Sequence, residues 1–142
     1  DMKWSKTAMD ESFYLSNICP QNKNLNKGDW KELEELARKW ALEYGNIYIA
    51  CGPIVADNHK TIGQNNVAVP ESFFKVFLRE TNNGWATIGF LFENKAGNKK
   101  LNTYIRSIDE IEELTGIDFF PLLADNVEET IESQTNIYDW NM

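Results

Sequence analysis

A single histidine, His59, and two cysteines, Cys19 and Cys51, are all the chain offers of the nitrogen and sulfur ligands that build zinc centres. They cannot complete the four-ligand set of a structural zinc site, so a zinc-folded module is excluded. Long apolar runs are lacking as well. None approaches the roughly 20 residues of a membrane span, and no membrane partner is expected. Asp1-Met2-Lys3-Trp4-Ser5 has neither the charged nor the apolar part of a secretory leader. Basic residues are missing from the C-terminal segment: Ser107 to Met142 holds Asp109, Glu110, Glu112, Glu113, Asp118, Asp125, Glu128, Glu129, Glu132 and Asp139, but no Lys or Arg. The net charge of −8 would by itself argue against a nucleic-acid partner. The acidity is confined to that segment, however, and the rest carries 14 basic against 12 acidic groups. Such a balance can still meet a phosphate backbone, with the acidic helices on another face.

What is present is a globular composition. At 142 residues, with 42% hydrophobic and 13% aromatic residues, the chain is expected to form one domain, 1–142, around a single core. Cys19 and Cys51 are expected to be small buried hydrophobes, although a disulfide between them would suit an exported protein. Ser16 to Gly28 reads as a loop. Asp29-Trp30-Lys31-Glu32 then has the form of a capping box, followed by an apolar stripe of Trp30, Leu33, Ala37, Trp40, Ala41 and Tyr44 at helical spacing, which Gly45 ends. Asn46 to Cys51 reads as a buried strand and Val55 to Asn66 as a polar loop. Phe73 to Arg79 and Trp85 to Phe92 form a hairpin around Asn82-Asn83-Gly84. Leu101 to Ile105 reads as a further strand. Ser107-Ile108-Asp109-Glu110 is a second capping box, opening a helix that Gly116 closes, and Val127 to Ile131 is a last helix. Strands followed by helices, without regular alternation, predict an α+β fold.

Leu15-Ser16-Asn17-Ile18-Cys19-Pro20-Gln21, Leu25-Asn26-Lys27-Gly28-Asp29-Trp30, Leu33-Glu34 and Arg38 place two amides, a carboxylate and a guanidinium where a loop passes into a helix. Taken alone, Glu34 and Arg38 would be a surface pair four residues apart, and Asn17 and Asn26 ordinary loop residues. Together with Ile49-Ala50-Cys51-Gly52-Pro53-Ile54, Val67-Ala68-Val69-Pro70, Phe73-Phe74-Lys75-Val76 and the block from Ser107 to Pro121, they resemble, in order, the Serratia-type DNA/RNA non-specific endonuclease family.

The resemblance implies a ββα-metal (His-Me finger) nuclease fold, a mixed or antiparallel sheet with flanking helices, here N-terminally incomplete. It implies Asn26 as the direct protein ligand to Mg²⁺, with Mn²⁺ as a substitute; a neutral amide oxygen suits a hard cation that keeps most of its waters. Glu34 would orient the cation's hydration water, Arg38 would offset charge at the phosphate, and Asn17 would position the phosphate or the loop. The partners implied are DNA and RNA, held through phosphate and not through base edges, with 5′-phosphate products. The family's activating histidine lies in an Asp-Arg-Gly-His strand, and that motif does not occur in this sequence. His59 is expected to be a solvated loop residue. The chain therefore reads as the C-terminal portion of the nuclease domain, weak or inactive alone. An unpaired sheet edge would favour self-association, and the intact protein is expected to be secreted or periplasmic. The alternative reading is a non-catalytic scaffold that binds nucleic acid or protein and keeps the nuclease fold.

Overall fold

The computed structural model describes residues 4–14, 18–133 and 137–142. Three helices come first: α1 (Lys6–Glu11), α2 (Lys23–Lys27) and α3 (Asp29–Tyr44). The strands follow: β1 (Ile47–Ile54), β2 (Lys60–Ile62), β3 (Val67–Val69), β4 (Ser72–Thr81) and β5 (Gly84–Glu93). A 3₁₀ turn (Leu101–Tyr104), β6 (Ile105–Arg106), α4 (Ile108–Thr115), α5 (Asp125–Glu132) and a final 3₁₀ turn (Ile137–Asp139) complete the order. The main sheet runs β1-β4-β5-β6, every pair antiparallel, and β2 pairs with β3 in a small separate ribbon. Among the described residues, no helix is long and apolar enough to cross a membrane.

The hairpin β4–β5 is the centre of the molecule. Both strands are buried along most of their length, so they read as apolar runs and not as alternating patterns. Side chains of a strand point alternately to its two faces. Phe73 and Phe77 of β4, with Ile88, Phe90 and Phe92 of β5, meet Trp30, Leu33, Ala37 and Trp40 of α3. Phe74 and Val76 point to the other face, against Ile108, Ile111 and Phe119. The sheet is thus covered by α3 on one face and by α4 on the other. Gly89 permits that second contact. A Cβ there would lie 2.7 Å from Ile111 Cδ1 and 2.8 Å from the Arg106 carbonyl oxygen, and the backbone oxygen cannot swing aside.

The C-terminus returns to the α3 face. Trp140 is fully buried, its ring 4.7 Å from Trp40, and its indole N–H donates to the Thr87 carbonyl at 3.2 Å. The Arg79 guanidinium lies 3.9 Å over the Tyr44 ring and donates to the Asp139 carbonyl. This is a buried anchor in a segment that reads, by charge alone, as solvated.

Several elements differ from the sequence expectation, each for a physical reason. Residues 23–27 form α2 and not loop, because the Asn22 side chain caps the Asn24 and Leu25 N–H groups and Leu25 is pulled into the core. Ala41 is exposed, and Leu36 takes its place against the core. β1 is an edge strand, not a buried one: it continues through Gly52 and Pro53 to Ile54, with Tyr48, Ile49 and Cys51 exposed. An edge tolerates a proline, whose missing N–H would break an inner ladder. Leu101–Tyr104 turns as 3₁₀, leaving only Ile105–Arg106 extended, because Tyr104 is drawn onto Phe92 with ring centroids 4.4 Å apart. The loop from Val55 to Asn66 contains β2. Cys19 and Cys51 are free thiols, and burial pushes the Cys19 thiol up. The hairpin, the Ser107/Glu110 capping box and the glycine stops at Gly45 and Gly116 form as expected.

Candidate functional site

The site is built where the segment before α2, α2 itself and the start of α3 meet the ends of the β4–β5 hairpin. Asn94, just past β5, holds this junction. Its amide N–H₂ donates to the carbonyls of Pro20 (3.1 Å) and Pro70 (2.8 Å), while its side-chain oxygen accepts from the Asn22 N–H (2.6 Å). One side chain thereby clamps the loop to the sheet and sets where α2 begins. α2 leads into α3 through Gly28, where a Cβ would lie 2.7 Å from the Asn24 carbonyl oxygen. A tight joint of this kind fixes the angle between the helix carrying Asn26 and the helix carrying Glu34.

Asn26 is exposed, and its Nδ2 donates to Gln21 Oε1 at 2.6 Å. That bond engages the amide nitrogen and leaves the side-chain oxygen without a hydrogen-bond partner among the described residues. Glu34 is held from two sides. Its Oε1 accepts from the Trp30 indole N–H at 3.0 Å and lies 3.5 Å from the Lys75 ammonium. Lys75 is only 6% exposed, with its ammonium 4.2 Å from the Trp30 ring centroid. The ion pair of Glu34 therefore runs to the sheet, not along the helix to Arg38. Arg38 stands exposed one turn further on. Asn17 lies outside the described residues.

Asp29 does not act as the capping acid that its position suggests. It is the first residue of α3, Gly28 takes the N-cap position, and the Asp29 carboxylate is buried. Its Oδ2 accepts from the Asn98 N–H (2.8 Å), the Lys99 N–H (3.4 Å) and the Tyr104 hydroxyl. Burial, and then the bond to Asp29, push the Tyr104 phenol up to about 12, so it stays a donor at any ordinary pH. His59 is exposed on the way into β2, its Nδ1 2.9 Å from the Ala56 carbonyl oxygen, as a solvated loop residue would be.

The donor set fits a hard divalent cation. Asn26 offers an uncommitted amide oxygen, and Glu34 a part-exposed carboxylate able to hold hydration water. Exposed Lys23, Lys27 and Arg38 lie on the same two helices as side chains able to meet a phosphate chain, while Lys31 is paired with Glu35 at 3.4 Å. The family model for DNA/RNA non-specific endonucleases matches residues 1–126. The chain belongs to the DNA/RNA non-specific endonuclease family. It is 35% identical over 132 residues to "Endonuclease G, mitochondrial" of Homo sapiens, which covers 84% of this chain and 44% of that protein. It is 36% identical over 137 residues to "Nuclease EXOG, mitochondrial" of Mus musculus, covering 85% and 37% respectively. A crystal structure of the EndoG/EndoGI complex superposes with a TM-score of 0.74 at 27% identity, over 83% of this chain and 54% of the matched one.

The α+β fold is thus the ββα-metal nuclease fold of this endonuclease family. The chain spans less than half the length of the curated relatives just described. Their names also correct one expectation: these relatives are mitochondrial nucleases, which overturns the secreted or periplasmic assignment.

Lys75, Asn94 and the role of Asp29 escape the sequence reading, since each acts across long separations in the chain. Asn94 carries the clearest consequence. Replacing it by Ala leaves the Asn22 N–H and two carbonyls without their partner, and should cost about 2–3 kcal/mol, read by urea denaturation. Asn94→Asp keeps the acceptor, loses both donors and places a charge beside two carbonyls, so it should recover little. A loss below about 0.5 kcal/mol for Asn94→Ala would mean that the clamp is not needed.

Proposed function

We propose that this single domain is the metal- and phosphate-holding part of a Mg²⁺-dependent endonuclease that hydrolyses DNA and RNA without regard to sequence. The observation that carries the reading is the Asn26 amide, its nitrogen committed to Gln21, one tight joint away from the helix that holds Glu34 between Trp30 and Lys75. Asn26 would hold the Mg²⁺, for which Mn²⁺ substitutes, and Glu34 would orient its hydration water. When bound, the ion supplies Lewis-acid polarisation of a phosphate oxygen and stabilises the leaving 3′-oxygen, giving 5′-phosphate ends.

Arg38, exposed beyond Glu34, offsets charge at the phosphate, and Asn17 positions the phosphate or the loop. Lys23 and Lys27 of α2 hold the backbone of either nucleic acid, which supports indifference to base sequence. The activating Asp-Arg-Gly-His motif of the family does not occur in this sequence. The sole histidine, His59, lies in the loop before β2 with Nδ1 at the Ala56 carbonyl oxygen, so the chain should cleave weakly by itself. The same observation is what favours a second reading, a scaffold that binds nucleic acid without cutting it. The exposed edge of β1, carrying Tyr48 and Ile49, supports self-association.

The deciding assay is nicking of supercoiled plasmid, and cleavage of RNA, by the natural full-length gene product with Mg²⁺, beside its Asn26→Ala variant and a chelator control. The substitution should lower cleavage by at least the roughly 10- to 100-fold that loss of a metal ligand's supporting hydrogen bond costs. No metal-dependent nicking by the unsubstituted protein would put the scaffold reading in first place.

A further inference from the structure

On the sheet face opposite α3, three carboxylates converge. One ligand oxygen each from Asp109 and Glu112 of α4 and Glu132 of α5 lie within 4.8 Å of one another. Acidic groups gather on many surfaces, but Glu132 is not on the surface. It is 6% exposed, and its buried Oε1 has no hydrogen-bond partner among the described residues. Glu128, one turn earlier on α5, likewise has a buried Oε1 without a partner. The charges acting on Glu132 are all of its own sign, from Glu112, Glu128, Asp109 and Asp118, and the segment from Ser107 onward has no Lys or Arg to offset them. We infer that Asp109, Glu112 and Glu132 form a binding site for a hard divalent cation of the Ca²⁺ class, distinct from the Asn26 site and linking α4 to α5.

A buried carboxylate without a partner is costly, and among like charges a proton or a cation relieves it most directly. Burial first, and then the neighbouring carboxylates, push the Glu132 carboxyl up to about 8, the direction expected of a buried anion among like charges. The frame around the cluster is already fixed. α4 is set by its capping box and by the Gly89 contact. Glu112 Oε1 accepts from the Phe119 N–H at 2.6 Å, which orients the carboxylate. α5 is tied to the sheet by the Thr87 hydroxyl donating to the Ile131 carbonyl at 2.6 Å.

The donors select the ion. Oxygen alone, with no nitrogen or sulfur, argues against Zn²⁺. Ca²⁺ binds oxygen at about 2.3–2.6 Å, so ligand atoms across its shell stand roughly 4.6–5.2 Å apart, whereas the Mg²⁺ shell is about 4.2 Å across and strictly octahedral. The three oxygens all lie within 4.8 Å of one another, inside the span of a Ca²⁺ shell, and the flexible Ca²⁺ geometry accepts carboxylates from two separately seated helices. Water can complete the shell.

The test is calorimetric titration of the chelator-treated chain with CaCl₂, alongside thermal melting with and without the ion. One Ca²⁺ should bind with a dissociation constant on the order of 10⁻⁵–10⁻⁴ M and raise the melting temperature by several degrees at millimolar Ca²⁺. Asn26→Ala should leave both effects in place, which separates this site from the proposed nuclease metal. Asp109→Asn and Glu132→Gln should each weaken binding at least tenfold. Asp109 is exposed, so its variant tests the site even if Glu132→Gln disturbs folding, which far-UV circular dichroism would reveal. Absence of Ca²⁺ binding below several millimolar, or binding that survives Asp109→Asn, would overturn the inference and leave a proton-sharing carboxyl cluster in its place.

Discussion

Replacing Asp29 by Ala is expected to destabilise this chain by about 3–5 kcal/mol, as expected for removal of one partner from a buried charged network. The carboxylate is 5% exposed and takes the Asn98 and Lys99 N–H groups and the Tyr104 hydroxyl. Its loss strands three donors at the place where α3 meets the segment leading to β6. It also removes a negative charge from the first turn of α3, where the helix dipole favours one. Tyr104→Phe should cost far less, about 1–1.5 kcal/mol, because the carboxylate keeps its two backbone donors. For a chain of this length each kcal/mol corresponds to roughly 2–4 °C in melting temperature, so Asp29→Ala should melt some 10 °C lower. Urea denaturation of the two variants checks the order. A cost for Asp29→Ala within 1 kcal/mol of zero would show that water replaces the carboxylate, and that the α3 start is held by packing alone.

The Glu34–Lys75 pair should respond asymmetrically to truncation. Lys75 is buried beside Trp30, whereas the Glu34 side chain is 42% exposed. Removing Glu34 leaves a buried ammonium with no carboxylate. Because water reaches the glutamate side of the pair, the cost of Glu34→Ala should fall at the lower end of the range for broken buried pairs, about 2–3 kcal/mol. Lys75→Met keeps the apolar stem and leaves Glu34 to solvent and to the Trp30 N–H at 3.0 Å, so it should stay within about 1 kcal/mol of the parent. Under the proposed function the two also part in activity. In the full-length protein Lys75→Met should keep its stability yet lose metal-dependent cleavage, since Glu34 is no longer held toward the sheet. Equal costs for the two substitutions would mean that the pair is solvated on both sides.

Much of the local structure was legible in the chain itself. The stripe of Trp30, Leu33, Ala37 and Trp40 repeats at helical spacing because one face of α3 must be apolar to cover the sheet, and that period is written in consecutive residues. The turn at Asn82-Asn83-Gly84 and the Ser107/Glu110 capping box are likewise decided within four residues. The place of Glu34 on α3 followed from the same short range, whereas Asn26, read as loop, sits in α2 because the Asn22 cap and the burial of Leu25 wind that segment into a helix. What the sequence could not disclose is pairing at a distance. Asp29 has the form of a local cap but is taken by Asn98 and Tyr104, nearly seventy residues away or more. Asn94 looks like any loop amide until the sheet brings it to Pro20 and Asn22. Lys75 reads as a polar interruption in an apolar strand, and only the β4 pleat turns it toward Glu34. Glu132 reads as one more acid on a solvated helix, and only the seating of α5 against β5 buries it beside Asp109 and Glu112. The sequence by itself determined which segments coil and which extend, because period and capping act between neighbours. Which polar groups end up buried together was decided by the tertiary structure alone, because that depends on sheet register and helix seating, and no short stretch of chain encodes either.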